Sequence, residues 1–218
     1  MKTILTIALS SLLMGCAPSP APSQYVARQA KPNTEAKHAL LFRADLHELE
    51  HGWERPPVAE AVYVIPHEDM QSRCFSHSKR HLGSPLRTRE FPLKEVSPGI
   101  YEGKVFADGL KDEAYFQEKL CAWKLLNVNV FAKRNDGVVL REGVWSSLTP
   151  TLPATQSIFF RKMEVQPPKI IFSSSPANEP IEQPAPIKIT LSLSALDPNF
   201  SVDQEFERRK LSSSVEKK

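Results

Sequence analysis

The sequence predicts a mainly β chain that folds as an antiparallel β-sandwich. About eight to ten short segments have strand patterns with turn residues between them, which is typical of two packed antiparallel sheets. In residues 187–195 apolar and polar side chains alternate without exception. Asn135-Asp136-Gly137 is a hairpin signal with apolar residues on both sides. These two patterns favour strands over helices.

The first predicted element, residues 39–46, fits two structures. Its apolar and polar residues alternate as in a strand. Four apolar residues of this region also fall at the spacing of one helix face: Ala39, Phe42, Leu46 and Leu49. Gly52 would end such a helix. Both interpretations stay open from the sequence.

The remaining strands follow from β-branched runs and turn signals. They are predicted at residues 58–65, 73–75, 87–96, 100–107, 121–132, 138–140 and 157–163. Pro92 places its strand at a sheet edge, because proline has no N–H to donate to a neighbouring strand. Ser97-Pro98-Gly99 is a turn. Residues 112–120 are a polar loop or one helical turn. Residues 169–172 and 187–195 are predicted as added edge strands.

The N-terminus has the features of an export signal. Lys2 precedes an uncharged, mostly apolar run over residues 3–14, the length of a secretory signal core, and Gly15 and Cys16 follow. This pattern resembles the lipobox of bacterial lipoproteins. The resemblance implies cleavage before Cys16, acylation of that cysteine and, with Ala17 next, sorting to the outer membrane with the domain facing the periplasm. The alternative is a secretory signal without a lipid.

Composition divides the chain into five parts. The small, proline-rich residues after Cys16 cannot bury enough apolar surface to fold, so they predict a flexible tether. The parts are a signal peptide (1–15), a lipidated tether (16–37), the β-sandwich (38–165), a proline-rich segment with one or two added strands (166–200), and a charged tail, disordered or a short helix (201–218).

Two cysteines remain once the lipobox resemblance assigns Cys16 to the lipid. In an oxidising compartment Cys74 and Cys121 are expected to pair, which would stabilise the fold by roughly 4 kcal/mol in the chain-entropy model. Two buried free thiols are the alternative. Trp123, two residues after Cys121, is expected to pack in the core beside the disulfide.

One enzyme motif is present, His47-Glu48-Leu49-Glu50-His51. On a helix, His47 and His51 would share one face and bind zinc, with Glu48 as the general base of a peptidase. The strand interpretation of residues 39–46 places the same residues in a loop, where the motif has no chemical meaning. We therefore predict no catalytic residue, no bound metal and no cofactor, and keep the zinc peptidase as an alternative.

Charge patterning points to a protein partner. The chain has 28 basic and 25 acidic residues, too even a balance for a nucleic-acid-binding domain. The basic residues concentrate in one stretch, which predicts a binding surface for an acidic protein: Arg73, Lys79, Arg80, Arg87 and Arg89. The alternative is an ordinary solvated face.

Two resemblances bear on the domain. Residues 52–64 and the Ser97-Pro98-Gly99-Ile100-Tyr101 turn resemble transthyretin-like and carboxypeptidase-regulatory-like sandwiches, over about a third of the domain. They imply a small β-sandwich and no particular function. Residues 112–123 resemble uncharacterised proteobacterial lipoproteins of secretion and effector loci, such as those of type VI secretion.

These features together predict a lipid-anchored, protein-binding module. The specific hypothesis is an immunity-type lipoprotein that neutralises a toxic secreted effector. One alternative is a structural or assembly lipoprotein of the envelope or of a secretion apparatus. The other is a zinc-dependent peptidase that uses the histidine motif.

Overall fold

Two antiparallel sheets pack face to face, so the predicted β-sandwich is confirmed. The computed structural model describes residues 22–47, 49, 52–66, 84–115, 120–135, 139–145, 152–160, 187–197 and 199–215. Its strands are β1 Ala39–Asp45, β2 Val58–Val64, β3 Leu86–Pro92, β4 Lys94–Ser97, β5 Ile100–Phe106, β6 Lys124–Lys133, β7 Val139–Trp145, β8 Ala154–Phe160 and β9 Ile187–Ala195. Its helices are α1 Pro22–Gln29 and α2 Val202–Val215.

The sheets have five and four strands. The order is β4-β5-β1-β9-β8 in the first sheet and β3-β2-β6-β7 in the second. Every strand pair is antiparallel. Alternate side chains of each central strand point between the sheets. The largest fully buried side chains of the core are Trp123, Tyr63, Phe42, Leu40 and Leu46, of which Trp123 and Leu46 directly flank strands.

The ambiguous segment at residues 39–46 is a strand. β1 pairs with β5 on one side and with β9 on the other. Leu40, Phe42 and Ala44 are buried, while the residues between them face outward. The period of two therefore prevails over the helical spacing, because both neighbouring strands supply backbone partners.

Pro92 lies where the chain leaves one sheet for the other. β3 is an edge strand of the four-stranded sheet, and β4 is an edge strand of the five-stranded sheet. The predicted edge position is confirmed, although one predicted strand is in fact two. The predicted turn joins β4 to β5, and Gly99 has φ +73° there, in a region that glycine adopts without strain.

β9 is not the edge strand that the sequence predicts. It lies inside the five-stranded sheet, between β1 and β8. Ile189, Leu191 and Leu193 are buried, and the residues between them face outward. A regular alternation shows that one face of a strand is buried, but it does not show where the strand lies in its sheet. The proline-rich surroundings suggested an edge position, which is wrong.

The folded domain begins earlier than predicted. Residues 22–37 were assigned to the flexible tether, but α1 contacts β3 and its Val26 is fully buried. Ala30, the residue just after α1, donates its backbone N–H to the Val26 carbonyl at 3.1 Å, and both side chains enter the core together. Pro32 then forms a bridge with Leu110. Two small apolar residues are too weak a pattern to recognise in a proline-rich segment.

The C-terminal part, predicted as a charged tail that is disordered or a short helix, forms a helix. α2 spans 14 residues, so the helical alternative applies. Val202 and Phe206, again four residues apart, are buried. The predicted strands at residues 73–75 and 169–172 lie outside the described residues. Neither described helix combines the length and apolar character needed to cross a bilayer.

Candidate partner-binding cleft

An open cleft of about 390 Å³ lies where both ends of the described chain meet the sandwich. Residues 33–38 before β1, residues 108–112 after β5 and residues 205–209 of α2 contribute its walls. We call it the terminal cleft. Charged side chains of both signs line it, so its electrostatics depend on which charges the fold itself neutralises.

Asp108 fastens the N-terminal segment to the connection after β5. Its carboxylate accepts hydrogen bonds from the backbone N–H groups of Lys37 at 2.9 Å and His38 at 3.1 Å. The side-chain amide of Asn33 donates to the Asp108 carbonyl at 2.9 Å. Asp108 is buried, and backbone donors satisfy its carboxylate. This carboxylate is therefore not presented to a partner.

Arg209 fastens α2 to the same connection. Its Nη1 donates to both carboxylate oxygens of Asp112, at 2.8 and 2.7 Å, and its Nη2 donates to the Trp123 carbonyl at 2.7 Å. Both side chains of the pair are about nine-tenths buried, with 14% and 13% exposed. Burial raises the pKa of Asp112, and the Arg209 guanidinium opposes that rise. The pair is neutralised inside the protein.

Glu205 joins α2 to the N-terminal segment. Its carboxylate accepts two bonds from Arg208 at 2.7 Å and lies 3.2 Å from Nε2 of His38. The His38 ring stacks on Phe200 with centroids 4.8 Å apart. Burial alone would raise the pKa of Glu205, but the Arg208 hydrogen bonds and the charges of His38, Arg208 and Arg209 hold it below its ordinary value.

This lowered pKa predicts an acid-sensitive contact. A carboxyl group whose pKa is lowered in the folded protein stabilises the fold at pH values above its ordinary pKa, 4.5. This stabilisation is lost as the pH falls through the lowered pKa. The free energy of unfolding should therefore differ most between the wild type and Glu205→Gln near neutral pH, and the difference should shrink as the pH falls below 4.5. Urea unfolding across this range measures it.

Glu207→Gln is the matched control for this experiment. Glu207 lies in the same helix and pairs with Lys210, but it is 58% exposed. Its replacement should change stability little at any pH. A Glu205→Gln difference that stays constant from neutral pH to acid would contradict the assignment.

The charges left for a partner are mainly positive. Lys37 and Lys111 are exposed, and neither forms an ion pair with the part of the chain that the structure describes. Arg208 is 66% exposed although it is bonded to Glu205. Among the cleft acids, Glu35 is the exposed one without a side-chain partner in the described ranges. The terminal cleft therefore favours acidic groups.

Two of the five residues of the predicted basic surface, Arg87 and Arg89, lie within the described residues. Arg73, Lys79 and Arg80 lie outside the described residues. Arg87 and Arg89 pair with Tyr63 and Ala61 across β2, so they share the inward face of an edge strand. Inward charges of this kind keep an edge strand from pairing with other chains.

Arg89 in particular is part of the fold. Its Nη1 donates to the Gly109 carbonyl at 2.6 Å, and its guanidinium lies 4.8 Å from the ring centroid of Phe91. A contact to the Asn33 carbonyl at 3.5 Å adds a link to the N-terminal segment. Of these two described residues, Arg87 is the exposed one, so its side chain is the more accessible to a partner.

The histidine motif does not begin in a helix. His47 lies in a turn just after β1 and forms an ion pair with Asp45. Glu48 and His51 lie outside the described residues, so the zinc peptidase stays a hypothesis. Within the described ranges no three histidine, cysteine or acidic residues cluster as metal ligands would.

Cys121 is disulfide-bonded and fully buried. Cys16 and Cys74 lie outside the described residues, so the Cys74–Cys121 pair stays a prediction. Trp123 is a core residue, as expected, with no exposed surface. The sequence does not single out Asp108, Asp112, Glu205 or Arg209 as site residues, and the charge density of the C-terminal segment is a signal for the last two only. No protein-family model, curated protein or solved structure matches this chain.

Proposed function

We propose that this protein is a lipid-anchored, periplasm-facing outer-membrane lipoprotein whose β-sandwich binds an acidic protein partner through the terminal cleft. The specific form of the proposal is an immunity-type protein that binds and neutralises a toxic secreted effector. The anchor rests on the lipobox pattern that ends at Cys16. The partner class rests on the charge of the cleft.

One observation carries the binding role. The buried carboxylates of the cleft, Asp108, Asp112 and Glu205, are bonded within the fold, whereas Lys37 and Lys111 project without ion-pair partners among the described residues. Complementary charge speeds association and fixes the orientation of a partner. An acidic patch on the partner is the chemistry that matches this surface.

The lining favours a protein over a small apolar ligand. Small-molecule sites are enclosed and mostly apolar, but Leu110 is the apolar residue among charged and amide side chains in this open cleft. Polar side chains with satisfied bonds are typical of the outer parts of protein–protein interfaces. The cleft therefore suits one part of a larger protein contact.

A complementation experiment tests the proposal. Deletion of the gene is expected to harm cells only when a neighbouring toxin gene is intact, and the wild-type chain should restore survival. Lys37→Glu with Lys111→Glu should bind the purified toxin roughly 100-fold more weakly, because like charges then face each other. Survival should fall accordingly.

The matched control reverses two other exposed lysines, Lys94 and Lys104, which lie on β4 and β5 and do not line the cleft. These changes alter net charge equally and should leave protection intact. If both double variants lose protection to the same degree, the cleft is not the binding surface. If deletion is equally harmful without the neighbouring toxin gene, an envelope or secretion-apparatus role replaces immunity.

A further inference from the structure

We infer that docking of α1 holds the folded domain directly against the membrane surface, so that the cleft engages its partner beside the bilayer. The inference rests on the lipid anchor of the proposed function. The sequence predicts a greater distance from the membrane, because composition alone assigns residues 16–37 to a long flexible tether.

The number of residues between Cys16 and α1 sets the greatest distance of the domain from the anchor. Five residues separate Cys16 from Pro22, the first residue of α1. Even a fully extended chain of this length reaches no more than about 20 Å. This limit holds for any conformation of these residues. The tether predicted from composition, with its last residue at 37, would allow about 75 Å.

Burial of the helix keeps the tether short. Val26 has no exposed surface and Ala30 is nearly buried, and both belong to the main core. A helix of eight residues is too short to be stable alone, so α1 persists because it is docked. Directly after it, the backbone N–H of Lys111 donates to the Lys31 carbonyl at 3.0 Å.

The cleft lies on the same short stretch of chain. Asn33, its first lining residue, follows the end of α1 by four residues. Because the eight residues of α1 rise only about 12 Å, no more than about 45 Å of chain separates Asn33 from the lipidated Cys16. A partner must therefore come to the membrane surface to be bound, which an effector that acts on or crosses the envelope does.

Neutron reflectometry on supported bilayers of phosphatidylethanolamine and phosphatidylglycerol measures the separation. The full-length acylated chain should show a water gap no wider than about 20 Å between headgroups and protein. A 12-residue Gly-Ser insertion between Ala21 and Pro22 should widen the measured gap by up to about 20 Å. Val26→Asp should also widen it by releasing α1, whereas Arg28→Gln, on an exposed position of α1, should not.

Each result decides the inference. A wild-type gap clearly wider than about 20 Å, or a gap that the insertion leaves unchanged, overturns it. The insertion keeps this decision valid if Val26→Asp fails to fold. Mass spectrometry of the membrane-extracted chain separates the two proposals: no acyl group on Cys16 refutes the anchor itself, whereas an acylated chain with a wide gap refutes only the role of α1.

Discussion

Replacement of Arg209 with methionine is expected to destabilise the fold by about 3–5 kcal/mol and to release α2. The guanidinium makes two bonds to Asp112 and one to the Trp123 carbonyl, and both charged side chains are largely buried. Methionine keeps the length and apolar stem of arginine, so the loss of stability measures the contribution of the charged guanidinium. It leaves the Asp112 carboxylate buried without its main partner, which costs more than the pair itself contributes.

Urea unfolding followed by circular dichroism measures this change. Arg55→Met is the matched control, because Arg55 and its partner Glu90 are both exposed, by 51% and 49%; its loss should cost no more than about 1 kcal/mol. Asp112→Asn combined with Arg209→Met should recover part of the stability, because no buried charge then remains. Equal losses for Arg55→Met and Arg209→Met would show that the buried pair contributes no more to stability than an exposed one.

The sandwich could be predicted because its signal is local. A strand with one buried face must alternate, and β1 and β9 do so with a period that any window of nine residues reveals. Pro92 has no N–H to donate and Gly99 has a positive φ, so these two residues predict the edge strand and the turn from the sequence alone. Position within a sheet is not local, which is why β9 was misplaced at an edge.

The cleft could not be predicted because its bonds join distant parts of the chain. Arg209 and Asp112 are 97 residues apart, and His38 and Glu205 meet only after α2 has docked. In a segment with many charges, nothing marks which arginine is buried. Arg89 illustrates the same difficulty, since it looks like any surface arginine until its carbonyl partners are known.

Replacement of Trp123 with alanine is expected to cost about 3–5 kcal/mol or more. The side chain is fully buried, and its Nε1 donates to the Tyr115 hydroxyl at 2.8 Å. The two rings meet edge to face with centroids 6.3 Å apart. Burial raises the pKa of Tyr115 to about 12, so its hydroxyl is protonated at neutral pH. The large cavity, rather than the lost hydrogen bond, dominates the expected loss.

Tyr115→Phe separates these two contributions. It keeps the ring packing but leaves the indole N–H buried without its acceptor, which should cost about 1–3 kcal/mol. A loss for Trp123→Ala no larger than that for Tyr115→Phe would mean that the sheets close over the cavity.

The backbone of Trp123 also donates to Asp112 and accepts from Arg209. Because one residue links the core to α2, Trp123→Ala and Arg209→Met should not be additive in their effects on the free energy of unfolding.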